Sequence, residues 1–344
     1  MRKGISIVDV AREARVSIAT VSRVINKSDH PVSETTALRV LKAAERLGYS
    51  PSALARALVR QHSGIIGVLV GDNADPYFAT IVRGIHTAAR QHGYLIIVCN
   101  TLRCAQMELD YVSLLTQYRA DGILLVSGAL TDPHHDEALT ALVERYRKRG
   151  GHVVALTEHF LKAPRVSVDN RRAGYDMTAF LIGLGHRRIG HVRGPANLRT
   201  ALLREEGFRD ALLDAGLSLQ SEYVVDGDFT FEGGRAAMNR LPDLPERPTA
   251  VFAANDMAAI GCVVAAQQRG LRVPQDVSVA GMDDIQPALF VNPPLTTASV
   301  PMTEMGAQAA SLLFALLAGQ EVPEATVMPH SLIVRGTTAP PLIL

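Results

Sequence analysis

Residues 5–58 read ISIVDVAREARVSIATVSRVINKSDHPVSETTALRVLKAAERLGYSPSALARAL, and three short helical patterns follow one another along them. Ser6 precedes Ile7, Val10 and Ala14 at helical spacing, and Asp9, three residues after Ser6, makes this close to a capping box. A short turn through Arg15 and Val16 leads to Ser17, a good N-cap for Ile18–Ile25, where Val21, Val24 and Ile25 form the apolar stripe. Ser33 caps a third helix whose Leu38, Leu41, Ala44 and Leu47 share a face, and Gly48 ends it. Two helices joined by a tight turn and braced by a third describe a helix-turn-helix.

Once the stripe of the second helix is assigned, Ile18, Ala19, Thr20, Ser22, Arg23 and Asn26 are left over as an outward face. Ser17 and the helix N-terminus can hold a phosphate. Arg23 can pair bidentately with guanine, worth about 1–3 kcal/mol of discrimination, although a surface salt bridge is the commoner fate of a lone helical arginine. Ile18 and Ala19 can at most touch a thymine methyl. The next segment, Ser50-Pro51-Ser52-Ala53-Leu54-Ala55-Arg56-Ala57-Leu58, has a cap, a proline at the first helical position and strong helix formers. It is too short to be stable alone in water and should order only against a partner. Small Ala55 and apolar Leu58 suit a minor groove, with the leucine as a wedge between base pairs; a plain linker helix is the alternative. The candidate DNA-contacting set is therefore Ser6, Ser17, Ile18, Ala19, Thr20, Ser22, Arg23, Asn26, Ala55 and Leu58.

Whole-chain figures hide this basic head. The 344 residues carry 35 Lys+Arg against 34 Asp+Glu, a net of +1, yet residues 1–62 alone hold a net of +6 and the remainder −5. A small basic module on a mildly acidic body is the footprint of a phosphate-binding reader attached to something else. Apolar residues at 47% and charged residues at 20% exclude a mainly disordered chain. No apolar run approaches the roughly 20 residues of a membrane span, and Asp9 and Arg12 interrupt any signal-peptide core. Cys99, Cys104 and Cys262 have neither CxxC nor metal spacing, so no disulfide framework, metal or cofactor is expected, and the setting reads as reducing and cytoplasmic. His134-His135 and His186/His191 lack a third ligand and read as surface or loop histidines. G-x-G-x-x-G after the first strand, a P-loop and G-x-S-x-G are all missing, which leaves an enzyme reading thin.

Beyond residue 62, buried-strand runs alternate with helical patterns: Ile65–Val70, Leu95–Cys99, Gly122–Val126, Val153–Leu156, Arg188–Val192, Ala250–Ala253 and Val277–Gly281, with helices such as Phe78–His92, Arg204–Ala215 and Met257–Arg269. This is the rhythm of doubly wound parallel sheets, and its length suits two lobes better than one. Ligands in such sheets bind beyond the carboxyl ends of strands. Those ends carry Asp72 with Tyr77 and Phe78, Asn255 and Asp283; Thr200 and Arg204 open a helix, and Phe229 follows a further strand. Carboxylates, an amide, an arginine fork and aromatic faces are what a sugar pocket needs, although each residue alone could be a cap, a turn or core.

In the order of these motifs the chain resembles the lactose-repressor (LacI) family. The stretch quoted above follows that family's headpiece and hinge, and the likeness continues through ADPYFATIVRGI, RADGILLV, LIGLGHRRIGHVRGP, AVFAANDMAAIG, RVPQDVSVAGMDDI and NPPLTT. The resemblance implies an all-α helix-turn-helix headpiece over residues 1–50, a hinge helix and linker over 51–62, and an α/β periplasmic-binding-protein-like core over 63–344. Its two doubly wound parallel-sheet lobes would span about 63–168 with 299–329, and about 169–298 with 330–344. It further implies a homodimeric repressor of a pseudo-palindromic operator in double-stranded DNA. Ile18, Ala19 and Arg23 would face bases, Leu58 would wedge the central step, and a small effector, a sugar or alternatively a purine or nucleoside, would sit between the lobes. Three departures stand out. Arg15 occupies a turn position where the family usually has Gly or Asn, Thr157-Glu158 stands where an Asp is common, and Val300 where some sugar-binding members carry a polar side chain.

Overall fold

A computed structural model of the chain describes residues 5–25, 30–49 and 62–342, so Asn26, Ala55 and Leu58 lie outside the described residues. Two units separate after Ser63, and each is described by itself.

In the first unit, α1 (Ile7–Ala14), α2 (Ile18–Ile25) and α3 (Glu34–Leu47) enclose Val10, Ala14, Val21, Val40, Ala43 and Ala44. The Ser6 N–H and hydroxyl both donate to Asp9 Oδ2, at 2.9 and 2.7 Å, and Ser17 Oγ accepts from Thr20 N–H at 3.1 Å, so both expected starts are capped. The face of α3 differs from the expected one. Leu38 and Leu41 are 54% and 49% exposed, and Val40 and Ala43 are buried in their place beside the expected Ala44. Two overlapping stripes share Ala44 and Leu47, and the one with small Ala43 beside Ala44 lets α1 approach closely. Arg15 has φ 53° and ψ 50°, left-handed backbone that costs a non-glycine residue of order 1 kcal/mol. The strain is tolerated because the turn closes on paired backbone groups: Arg15 N–H donates to Arg12 O and Val16 N–H to Ala11 O.

The second unit holds two six-stranded sheets. The first is built from β1 (Ile65–Val70), β2 (Leu95–Asn100), β3 (Gly122–Leu125), β4 (His152–Ala155) and β5 (Arg165–Val168), interleaved with α4 (Pro76–Gln91), α5 (Ala105–Gln117) and α6 (Pro133–Arg147). The second is built from β6 (Ile189–Arg193), β7 (Val224–Asp226), β8 (Ala250–Ala253), β9 (Ser278–Asp283) and β10 (Thr296–Ser299). Its helices are α7 (Asn170–Gly183), α8 (Arg199–Asp214), α9 (Phe231–Met238) and α10 (Asp256–Gln268). After α11 (Met302–Leu317) the chain adds β11 (Ala325–Met328) to the first sheet and β12 (Ser331–Ile333) to the second, giving the orders β11-β5-β4-β3-β1-β2 and β12-β10-β9-β8-β6-β7. All pairings are parallel except β10 with β12. The chain thus changes sheet three times, after Val168, after Ser299 and between Met328 and Ser331. The strands RVSV, TTAS, ATVM and SLI are too short and too polar to show as apolar runs.

Helices on both faces explain why the early strands read as unbroken apolar runs. Ile66, Val68 and Val70 pack into one side of the first sheet, and Leu69, Ile123 and Leu125 into the other. Three helix pairs meet through reciprocal glycines. A Cβ on Gly84 would lie 2.0 Å from Thr303 O and one on Gly306 2.2 Å from Ile81 O, joining α4 to α11. A Cβ on Gly174 would lie 2.4 Å from Arg204 O and one on Gly207 1.9 Å from Arg171 O, joining α7 to α8; Gly234 and Gly261 do the same for α9 and α10.

Three of the histidines expected at the surface are buried: His135, His186 and His191 are 3%, 1% and 0% exposed. Each is tied to a polar partner or packed against rings, which the sequence pattern does not display. His191 stacks on Phe208, its Nδ1 lies 2.9 Å from Phe252 O, and burial lowers its pKa from 6.5 to about 4. A histidine whose folded pKa is depressed supports the fold fully above pH 6.5 and loses that contribution as pH falls towards 4. Relative to His191→Phe, the wild type should therefore lose about 3 kcal/mol between pH 7 and pH 4. Urea denaturation of both proteins across that range checks it, and parallel curves would remove His191 as the cause.

Candidate functional site

On α2, Ile18, Ala19 and Arg23 are exposed and Thr20 and Ser22 are half-buried, so a contiguous surface of the helix is available to a partner. Among the described residues Arg23 has no ion-pair partner. Ser17 holds its own helix start, with Oγ 2.9 Å from Thr20 Oγ1. Ser6 is committed likewise, its hydroxyl donating to Asp9, so that proton is not free for another partner.

In the second unit a half-open cavity lies between the carboxyl ends of the two sheets. Seven of the eight expected residues line it: Tyr77, Phe78, Thr200, Arg204, Phe229, Asn255 and Asp283. Asp72 does not. Its Oδ1 accepts from Ala74 N–H at 2.9 Å, closing the tight turn that starts the loop, and the carboxylate brought to the cavity is Asp75, one residue before α4. Asp75 caps that helix by accepting from Tyr77 N–H at 3.0 Å, and its other oxygen lies 3.8 Å from Arg103. A carboxylate ahead of a proline reads as a cap, and here it does both jobs.

Arg204 is the fixed point of the wall. Because α8 starts at Arg199, five residues earlier than expected, Thr200 lies in its first turn and Arg204 in its second. The Arg204 guanidinium donates to Asn170 Oδ1 at 3.0 Å, to Ala254 O, and to Asp283 Oδ1 at 3.0 Å, with both ionic side chains 4–5% exposed. Burial pushes the Asp283 carboxyl up and Arg204 pulls it back, with the net direction upward. Arg103 and Arg204 stand 5.6 and 5.8 Å from the Phe229 ring centroid, and Tyr77 meets Phe78 edge-on at 5.2 Å. Asn255 caps α10 through Ala258 N–H and ties down the loop before α9 by donating to Phe229 O at 2.9 Å. Strain collects at this wall: Arg103, Phe229 and Asp283 have φ of 55°, 68° and 122°.

Arg103, Ser127 and Leu198 also line the cavity and carried no sequence signal beyond nearness to strand or helix ends. Of the two candidates after the fourth strand, Thr157 faces the cavity, while Glu158 is exposed and lies 4.0 Å from Arg199. Val300 is buried in the core at 3% exposure and takes no part. Beside the cavity the lobes are joined directly. Leu130 and Leu198 form an isolated antiparallel bridge, Thr131 N–H donates to Asn197 O at 2.9 Å and Arg199 N–H to Ala129 O at 3.0 Å. Leu130, Leu198 and Ala201 pack there against Phe229. Among the described residues no group of side chains could hold a metal ion, and no helix is long and apolar enough to cross a membrane.

A helix-turn-helix reader and a two-lobed cleft with polar and aromatic walls define a ligand-responsive DNA-binding regulator. Residues 6–52 match the model described as bacterial regulatory proteins, lacI family, and residues 63–335 that of periplasmic binding proteins and sugar binding domain of the LacI family. The chain belongs to the LacI family. It is 39% identical over 334 residues to the HTH-type transcriptional repressor CytR of Escherichia coli (strain K12), covering 96% of this chain and 95% of that one. Among solved structures it is similar to the lac repressor dimer bound to operator and the anti-inducer ONPF, with a TM-score of 0.85 at 27% identity over 98% of this chain and 100% of that one. A transcriptional regulator CelR–cellobiose complex matches with a TM-score of 0.70 at 32% identity, over 97% and 99% of the two chains.

Proposed function

We propose that this chain is a transcriptional repressor that binds a pseudo-palindromic operator as a homodimer. A small effector in the cleft, a sugar or sugar derivative, sets its grip on DNA. The observation that carries the effector reading is the buried Arg204–Asp283 pair. It is held in place by Asn170 and Ala254 O and lines the cavity, so its remaining donors and lone pairs can meet adjacent hydroxyls. Family membership and the exposed face of α2 support the DNA reading: Ile18, Ala19 and Arg23 meet base edges in the major groove, and the segment around Ala55 and Leu58 opens the minor groove between half-sites. Operator DNA as partner puts its site of action in the cytoplasm, and no reaction is required of it. Effector binding biases lobe closure and through it the hinge, a coupling of about 1–3 kcal/mol.

A second reading inside the same class is favoured by one feature. Phe229 under two guanidinium groups, with Tyr77 and Phe78 also in the wall, offers a flat heterocycle a place to stack, as a nucleoside would need. Thermal-shift screening against free sugars, sugar acids and nucleosides separates the two, since a compound bound only by the folded protein raises its melting temperature. On DNA, Arg23→Ala should relax preference at one base pair per half-site in a gel-shift series; a uniform loss across all sequences makes Arg23 a phosphate contact instead.

A further inference from the structure

Behind the first-lobe wall of the cleft lies a buried polar cluster that the effector reading leaves unused. Ser127, just past the end of β3, lines the cavity, and its hydroxyl donates to Glu108 Oε1 at 2.5 Å. The other Glu108 oxygen, Oε2, is 3.0 Å from His135 Nε2, and the two side chains are 3% and 1% exposed. Glu108 comes from the first turn of α5 and His135 from the first turn of α6, so two helices converge to hold one serine. Beside it, among the described residues, Thr157 Oγ1 is buried with no hydrogen-bond partner, and the ring nitrogens of His159 and His135 are in the same condition, His135 Nε2 meeting Glu108 as an ion-pair contact without hydrogen-bond geometry. Buried polar atoms without partners are rare in a finished fold. Thr157 also lines the cavity, so a ligand atom can complete it.

Proton counting fixes what Ser127 can offer a ligand. A carboxylate only accepts, so the Ser127 proton lies in the contact with Glu108 Oε1, while Oε2 faces His135 Nε2 at 3.0 Å. The nearby Glu108 carboxylate raises the His135 pKa against the lowering by burial. A serine hydroxyl has one proton, and here it points away from the cavity. What Ser127 offers a ligand is therefore lone pairs alone. A ligand N–H meets them well, whereas a carbonyl oxygen meets them with no proton between.

We propose that Glu108 and His135 are positioning residues that make Ser127 an acceptor, so that the effector presents an amino group, rather than a carbonyl, to Ser127. This rests on the reading that the effector occupies this cleft, and it names the nucleoside branch of that reading. The probes are two matched pairs in which an amino group is exchanged for a carbonyl: adenosine with inosine, and cytidine with uridine. Isothermal titration of the full chain is expected to give at least a tenfold preference for the amino member of one pair. Glu108→Gln supplies an amide that can donate to Ser127 and free its proton for the ligand, and should bring the ratio to within about threefold. Ser127→Ala should level the ratio as well, and it carries the test if the glutamine variant does not fold. The ratio between paired ligands is the readout because general loss of structure lowers both affinities together. Equal affinities in the wild type, or a preference that survives both substitutions, would overturn the proposal. Binding of free sugars alone would also overturn it while leaving the effector cleft standing. If none of these compounds binds, it is the cleft reading itself that fails.

Discussion

Arg204→Ala is expected to destabilise the protein by about 3–5 kcal/mol and to abolish the effector response, the typical outcome of removing one partner of a buried ion pair. Its guanidinium satisfies three acceptors on three different elements: Asn170 at the start of α7, Ala254 after β8 and Asp283 at the end of β9. Alanine leaves all three without their donor in a site with almost no water access. Asp283 can relieve part of the cost by taking up a proton, since burial already pushes its carboxyl upward, so the loss falls towards the lower end of the range. Arg204→Lys should recover only a fraction, because a single ammonium cannot reproduce a planar fork aimed at three directions. Urea denaturation reads the stability, and gel shift on operator with and without the screened effector reads the response. A variant within about 1 kcal/mol of wild type whose DNA binding still answers to the effector would show that the cleft is misassigned.

Gly207→Ala should act on the same site from behind. A Cβ there would lie 1.9 Å from Arg171 O and 2.7 Å from Tyr175 N, both backbone atoms that cannot rotate away. α8 must then move off α7. Alanine's better helix propensity returns about 1 kcal/mol, while overpacking against a rigid neighbour costs about 1–3 kcal/mol and sometimes more. We expect a net loss of about 2 kcal/mol. The specific consequence is functional: Arg204 sits one turn earlier on α8, and its own carbonyl rests on Gly174, so displacing the helix displaces the guanidinium. Effector affinity should fall at least tenfold although position 207 touches no ligand. Gly183→Ala is the control, since nothing lies within 4 Å of a Cβ there, and it should be neutral or slightly stabilising. Loss of stability with unchanged effector affinity would separate α8 packing from Arg204 placement.

Much of this architecture was legible because parallel strands buried on both faces announce themselves as apolar runs, and their ends predict where polar side chains gather. That rule reaches Asn255, Asp283, Tyr77 and Phe78 directly. It misjudges Asp72 because the loop DNADP offers two carboxylates within four residues, and only the backbone decides which one closes the turn. Leu38 and Leu41 mislead for a related reason: two helical stripes overlap on α3, and periodicity cannot rank them. Glu108 and His135 were out of reach altogether. They lie on amphipathic helices, far from any strand end, and their role exists only because two helix starts meet behind Ser127.

The Leu130–Leu198 bridge sets a time scale as well as a geometry. Because it joins the lobes beside the cavity, the lobes cannot part on that side unless both backbone hydrogen bonds and the contacts of Leu130, Leu198 and Ala201 break in one event. Separation there is paced by a cooperative latch rather than by the free swing of two bodies on three strands of chain.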